Sequence, residues 1–110
     1  MDAARAAVAA RQAASEAQVR AAQQAAIAAV PLPDEWNDLS CHDRLVRAWV
    51  NKARLNEADP NRPMGVTTVD EMRWWRLLSE CPDVAQRPTY RELDDAERED
   101  RAKRGVASLY

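Results

Sequence analysis

The chain has 110 residues with 16 Lys and Arg against 18 Asp and Glu, for a formal net charge of −2. That balance excludes the simplest nucleic-acid or anionic-membrane binder, which works through concentrated basic residues that release counterions. The length allows one small domain with an appendage, and a core of this size buries only about 60 to 70% of its unfolded surface. With Gly65 and Gly105 as the only glycines, there is neither a phosphate-cradling loop nor a strand-turn-helix nucleophile elbow.

Half of the first thirty residues are alanine, and no proline interrupts them before Pro31 and Pro33. Alanine loses no rotamer freedom and hides no polar group in a helix, so the composition predicts one uninterrupted helix over 2–29. At 1.5 Å per residue it is roughly 42 Å long, more than the remaining chain can cover. The chain therefore divides into an oligomerisation or docking arm, 1–30, and a small helical domain, 31–110. Written as heptads, Ala3, Ala10 and Ala17 occupy one seam position and Ala7, Ala14, Ala21 and Ala28 the other, with Gln24 the exception. Val8, Val19 and Val30 form a second stripe with an eleven-residue spacing. Small-residue seams allow backbones to approach closely, so these positions are the expected contacts with copies of the chain or with a larger helical protein. The alternative is a solitary solvated arm sustained by helix propensity alone.

Arg5, Arg11, Glu16, Arg20 and several glutamines interrupt every window long enough to span a bilayer, so no membrane span is expected. A presequence would be richer in serine and poorer in acids. An interfacial helix would carry large apolar anchors, which are absent here.

Beyond the prolines, three segments open with a hydroxyl residue followed three positions later by a carboxylate: Ser40 with Asp43, Thr68 with Glu71, and Thr89 with Glu92. This pairing caps the free amides of a helix start. It predicts helices over 40–57, 69–80 and 89–104, and no segment alternates with the period of a strand. The expected fold is all-α, a long Ala-rich helix plus a compact three-helix body. Leu45, Val46, Trp49, Val50 and Ala53 line one face of the second helix, with Arg44, Arg47, Asn51 and Arg54 turned away. The third helix, expected to be the most buried, combines Met72, Trp75 and Leu78 with Trp74, Leu77 and Cys81, leaving Arg73, Arg76 and Glu80 as a charged stripe. Leu39, Leu55, Val66, Val69, Val84, Tyr90 and Leu93 complete the predicted core.

Trp36, Trp49, Trp74 and Trp75 are core or interface aromatics. Because neighbours on a helix diverge, one of Trp74 and Trp75 is expected inside and the other at the periphery. The fourth helix is laced with acid-first i, i+4 pairs: Asp94 with Arg98, Glu97 with Arg101, Glu99 with Lys103, and Asp100 with Arg104. Such a helix should lie on the surface or protrude, followed by the short apolar tail 106–110.

Cys41 and Cys81 are the only cysteines, and with no signal peptide ahead of them the default is free thiols after synthesis in a reducing cytoplasm, a disulfide between them being the alternative that nothing in the sequence supports. His42 sits beside Cys41, but adjacent residues at a helix start diverge by about 100° and do not converge on one ion, so no metal site is expected. No catalytic constellation and no cofactor site emerges either. Arg44, Arg47, Lys52, Arg54 and Arg62 form the one cluster able to touch phosphates if an oligomer aligns them; otherwise they are the wet side of an amphipathic helix.

Taken together, these features predict a non-enzymatic structural or interaction protein working in a multi-subunit assembly, a homo-oligomer or a subunit bound to a larger helical partner. The short chain, long arm, Trp-rich body and charged end resemble small bacteriophage morphogenesis and virion proteins of the head, neck or ejected core. On that resemblance the finished location is the virion. The rival readings are a DNA-associated packaging or replication adaptor and a phage-type inhibitor that captures a host protein through its tryptophans.

Overall fold

In a computed structural model, which describes residues 2–61 and 67–105, the chain is all-α. Its helices are α1 (Asp2–Ala29), α2 (Cys41–Ala58), α3 (Val69–Glu80) and α4 (Tyr90–Lys103), and the described residues contain no strand. Short 3-10 turns at Asp34–Trp36 and Val84–Gln86 occupy the proline-bearing connections. Arg62, Val66 and the tail 106–110 lie outside the described residues.

The three predicted caps set the helix starts. Ser40 Oγ accepts from the Asp43 amide at 3.2 Å, Thr68 Oγ1 from Glu71 at 3.2 Å, and Thr89 Oγ1 from Glu92 at 3.1 Å. Only Glu92 returns the bond, accepting from the Thr89 amide at 3.2 Å, which closes a full capping box on α4. Gly105 ends α4 with φ +72, the left-handed conformation glycine adopts without a Cβ clash.

Helix α2 is the centre of the body. It runs antiparallel to α3, with Cys41 beside Cys81 and Trp49 beside Trp74. It runs parallel to α4, since His42 meets Glu92 at one end and Arg54 meets Asp100 towards the other. Trp36, Leu45, Ala48, Leu77 and Cys81 form the buried cluster, with Leu32, Leu39, Trp74 and Leu78 packed around it. The expectation that α3 is the most deeply buried helix is corrected. α2 buries Leu45, Ala48 and Ala53, whereas α3 fully buries Leu77 alone.

Three predicted core positions are surface residues. Val69 and Val84 are exposed, and Tyr90 is 87% exposed at the first turn of α4. Val69 and Tyr90 stand at helix starts, where the amphipathic period has no preceding turn to confirm it. The tryptophan pair divides as helical geometry requires, but with Trp74 inward and Trp75 55% exposed.

The cysteines depart from expectation most. Cys41 and Cys81 form a disulfide with a Cα–Cα separation of 6.0 Å, so neither thiol is free. Cys41 opens α2 and Cys81 caps α3, and antiparallel packing of the two helices brings these ends together. That juxtaposition depends on tertiary structure and cannot be read from the 40-residue separation.

Helix α1 stands apart. Every residue of it is exposed except Ile27, which is half-buried. The molecule extends 64 × 33 × 24 Å with a radius of gyration of 18.6 Å, against about 13 Å for a compact chain of this length.

The packing predicts two different responses to truncation. Leu77→Ala should cost ~2 to 5 kcal/mol in denaturant unfolding. Trp75→Ala, removing a largely solvated side chain, should cost less than ~1 kcal/mol.

Candidate functional site

Two surfaces and one ionic seam account for the residues singled out in the sequence. The first surface is the arm. Ala3, Ala7, Ala10, Ala14, Ala17, Ala21 and Ala28 are all exposed, as are Val8 and Val19. Val30 is not part of that surface, because it is 6% exposed and buried in the body. The eleven-residue stripe therefore stops at Val19, since Pro31 breaks the helix directly after Val30 and the chain turns into the core.

The arm is held at its last turn alone. Helix α1 has no basic residue in that turn to meet its terminal carbonyls. The stripe of α3 grips the chain just past that turn, where Arg76 donates to the Val30 carbonyl and Arg73 Nε to the Pro31 carbonyl at 2.8 Å. Arg76 also pairs with Glu80 at 2.8 Å and Arg73 with Asp70 at 3.5 Å, which orients both guanidinium groups. Residues that read as a solvated stripe are thus a clasp at the negative end of the arm's helix dipole.

The second surface is an apolar cleft of about 580 Å³ between α3 and the start of α4. Leu45 and Trp49 of α2 form its floor, Trp74, Trp75 and Leu78 one wall, and Val84, Pro88, Tyr90 and Leu93 the other. The Trp49 and Trp74 rings lie 5.3 Å apart, tilted by 58°. Lys52 Nζ lies 4.8 Å from the Trp49 centroid, a cation–π contact. Trp36 is no part of this cleft, being wholly core.

The ionic seam runs along α2 and α4. Arg54 pairs with Asp100, which also accepts from Arg104 Nε at 2.9 Å. Glu57 takes Arg101 and, at 3.0 Å, Arg104. Arg101 is 7% exposed. Of the two arrangements expected for α4 it takes the second: it does not protrude but lies on the surface of the body, bound to α2 by charge at one end and by buried Leu93 at the other. The i, i+4 pairs Asp94 with Arg98 and Glu99 with Lys103 form at 3.0 Å each.

This seam also disperses the basic cluster. Arg44 donates to the Trp36 and Asn37 carbonyls at 2.8 and 2.7 Å, fixing the first 3-10 turn, and Arg54 is committed to Asp100. Lys52 faces the tryptophans on the α3 side, while Arg47 and Arg54 face the α4 side. The four described members do not share one surface. Beside them, the Cys41 sulfur is bonded to Cys81, which leaves no thiolate next to His42. Among the described residues no three His, Cys, Asp or Glu side chains are grouped to hold a metal ion, and no helix is long and apolar enough to cross a membrane. No family model, curated protein or solved structure matches the chain.

The charged contacts give the body a calculable pH response. Hydrogen bonds from Arg54, then Arg104, hold Asp100 down at about 2. Arg101, then Arg104, lowers Glu57, and His42, then the Thr89 amide, lowers Glu92. His42 is raised from its ordinary 6.5 by Asp43 first and Glu92 second. A lowered carboxylate binds fewer protons folded than unfolded, so its stabilisation is complete above the ordinary carboxylate range and is lost as pH falls through the folded value. His42 has the opposite sign, with its stabilisation complete below its ordinary value and lost as pH rises through the raised one. The thermal midpoint should therefore peak near pH ~5 to 6, fall steeply towards pH ~2, and fall gently above pH ~7. Asp100→Asn should flatten the acid limb and His42→Ala the alkaline limb.

Proposed function

We propose that the protein is a non-enzymatic assembly subunit, in which the α1 arm packs against the arms of further copies while the body rides on the resulting bundle. The observation that carries this reading is the arm itself: 28 residues with none buried, clasped by the body only at its last turn.

Geometry favours a bundle over a pair. A rod about 42 Å long and 10 Å wide offers on the order of 400 Å² along one face. A stable pair buries about 800 Å² on each partner. One shared face is therefore insufficient, and an arm that contacts neighbours on two faces reaches the required area. The alanine seam and the Val8, Val19 stripe lie about 150° apart around the helix at 100° per residue, so each arm presents two nearly opposed contact faces, as in a ring or layer of several arms rather than a closed pair. Alanine contributes little apolar area but permits close approach, so the gain comes from tight packing along the whole length.

The setting we propose is a bacteriophage virion or morphogenesis complex, where small subunits of this organisation act by repeated contact. What supports it is likeness of organisation: a long arm and a small Trp-rich body.

Sedimentation equilibrium tests the assembly. The full chain should give a mass of three or more protomers, and Ala14→Glu, which places a charge in the seam, should return it to the monomer while leaving the body's melting transition in place. A wild-type chain that stays monomeric across the concentration range overturns the reading.

A further inference from the structure

We infer that the Cys41–Cys81 disulfide is a redox-sensitive lock on the body, closed in oxidising surroundings and opened by a dithiol reductant. The bond lies where three helix ends converge. Cys41 begins α2, Cys81 caps α3, and α4 starts a few residues later with its first turn held to His42 through Glu92. Outside the apolar cluster that buries Cys81, the contacts at this junction are polar and partly solvated. Arg87 donates to the Cys81 and Leu78 carbonyls at 2.7 and 2.9 Å, and the His42–Glu92 pair is exposed. Exposed pairs of this kind contribute little, whereas a cross-link closing a loop of some 40 residues removes a large part of the unfolded chain's freedom.

The two sulfurs differ in access. Cys41 is half-buried and Cys81 is 2% exposed within the core cluster. The reductant's thiolate therefore attacks the Cys41 sulfur, the S–S bond breaks, and Cys81 leaves as a thiolate that takes a proton, as its apolar surroundings require. The reductant's second thiol then attacks the mixed disulfide and releases Cys41. Two electrons and two protons pass to the protein, and the dithiol becomes a disulfide. What remains is a body whose segment from Cys81 to Tyr90, one wall of the apolar cleft, has lost its cross-link to α2 and is held by the packing of Cys81 and the hydrogen bonds from Arg87. The arm lies outside the closed loop and keeps its clasp to Arg73 and Arg76.

The test compares the wild-type chain oxidised in a glutathione buffer with the same chain in dithiothreitol, with thiols counted in each state. Reduction should lower the thermal midpoint by ~15 °C or more. It should speed amide exchange at least tenfold over 78–93 and leave 2–29 unchanged. Cys41→Ala should melt with the reduced protein and ignore dithiothreitol. Free thiols in the glutathione-oxidised protein, or a reduced wild type whose midpoint and exchange match the oxidised one, would overturn the inference.

Discussion

Helix α2 is claimed from two sides, and the rest of the molecule follows from that constraint. Its apolar face, Leu45, Ala48 and Trp49, is taken by α3, and its charged edge, Arg54 and Glu57, by α4. With both neighbours seated, α2 is engaged along its apolar and its charged side. Helix α1 has nothing large to offer in any case, because its side chains are mostly methyl groups. It therefore meets the body around its end, where Ile27 is half-buried, Val30 enters the core and the Val30 and Pro31 carbonyls meet Arg76 and Arg73. The projection of the arm is a consequence of how the body closes.

The same closure divides polar side chains into structural and solvated ones. Arg44, Arg73, Arg76 and Arg87 each donate to main-chain carbonyls at a helix end or turn. These carbonyls have no intrahelical partner, and a guanidinium satisfies them with a planar fork while keeping part of itself in water. In a chain with only two glycines, arginine does the terminating work that a glycine cap often does elsewhere.

The helices were legible in the sequence because their signals are local. The hydroxyl–carboxylate caps at Ser40, Thr68 and Thr89, and the proline stop after Val30, placed each boundary to within a residue. The alanine content identified the arm for the same reason. What escaped was set by contacts distant in the chain. The disulfide needs the antiparallel pairing of α2 with α3, the burial of Arg101 needs the parallel pairing of α2 with α4, and the clasp needs the approach of α1 to α3. An i, i+4 reading assigned Arg101 to Glu97 because it saw only one helix. Trp74 and Trp75 were separable by angle but not by sign, since nothing local says which side of α3 faces α2. Of the candidate site, the arm's outward positions could be listed in advance, whereas the cleft beside Trp75 and Tyr90 emerged only with the tertiary arrangement.

The central claim is that the arms of separate molecules lie side by side, and a distance between arms tests it most directly. A spin label at Arg20→Cys, on the polar side of α1 roughly 100° from both the alanine seam and the Val8, Val19 stripe, reports that distance by pulsed dipolar spectroscopy. Packed helices have axes 8–10 Å apart, so with the label tethers the account predicts a defined intermolecular distance of roughly 15 to 40 Å. A dipolar signal showing only the uniform background of separate molecules would contradict it.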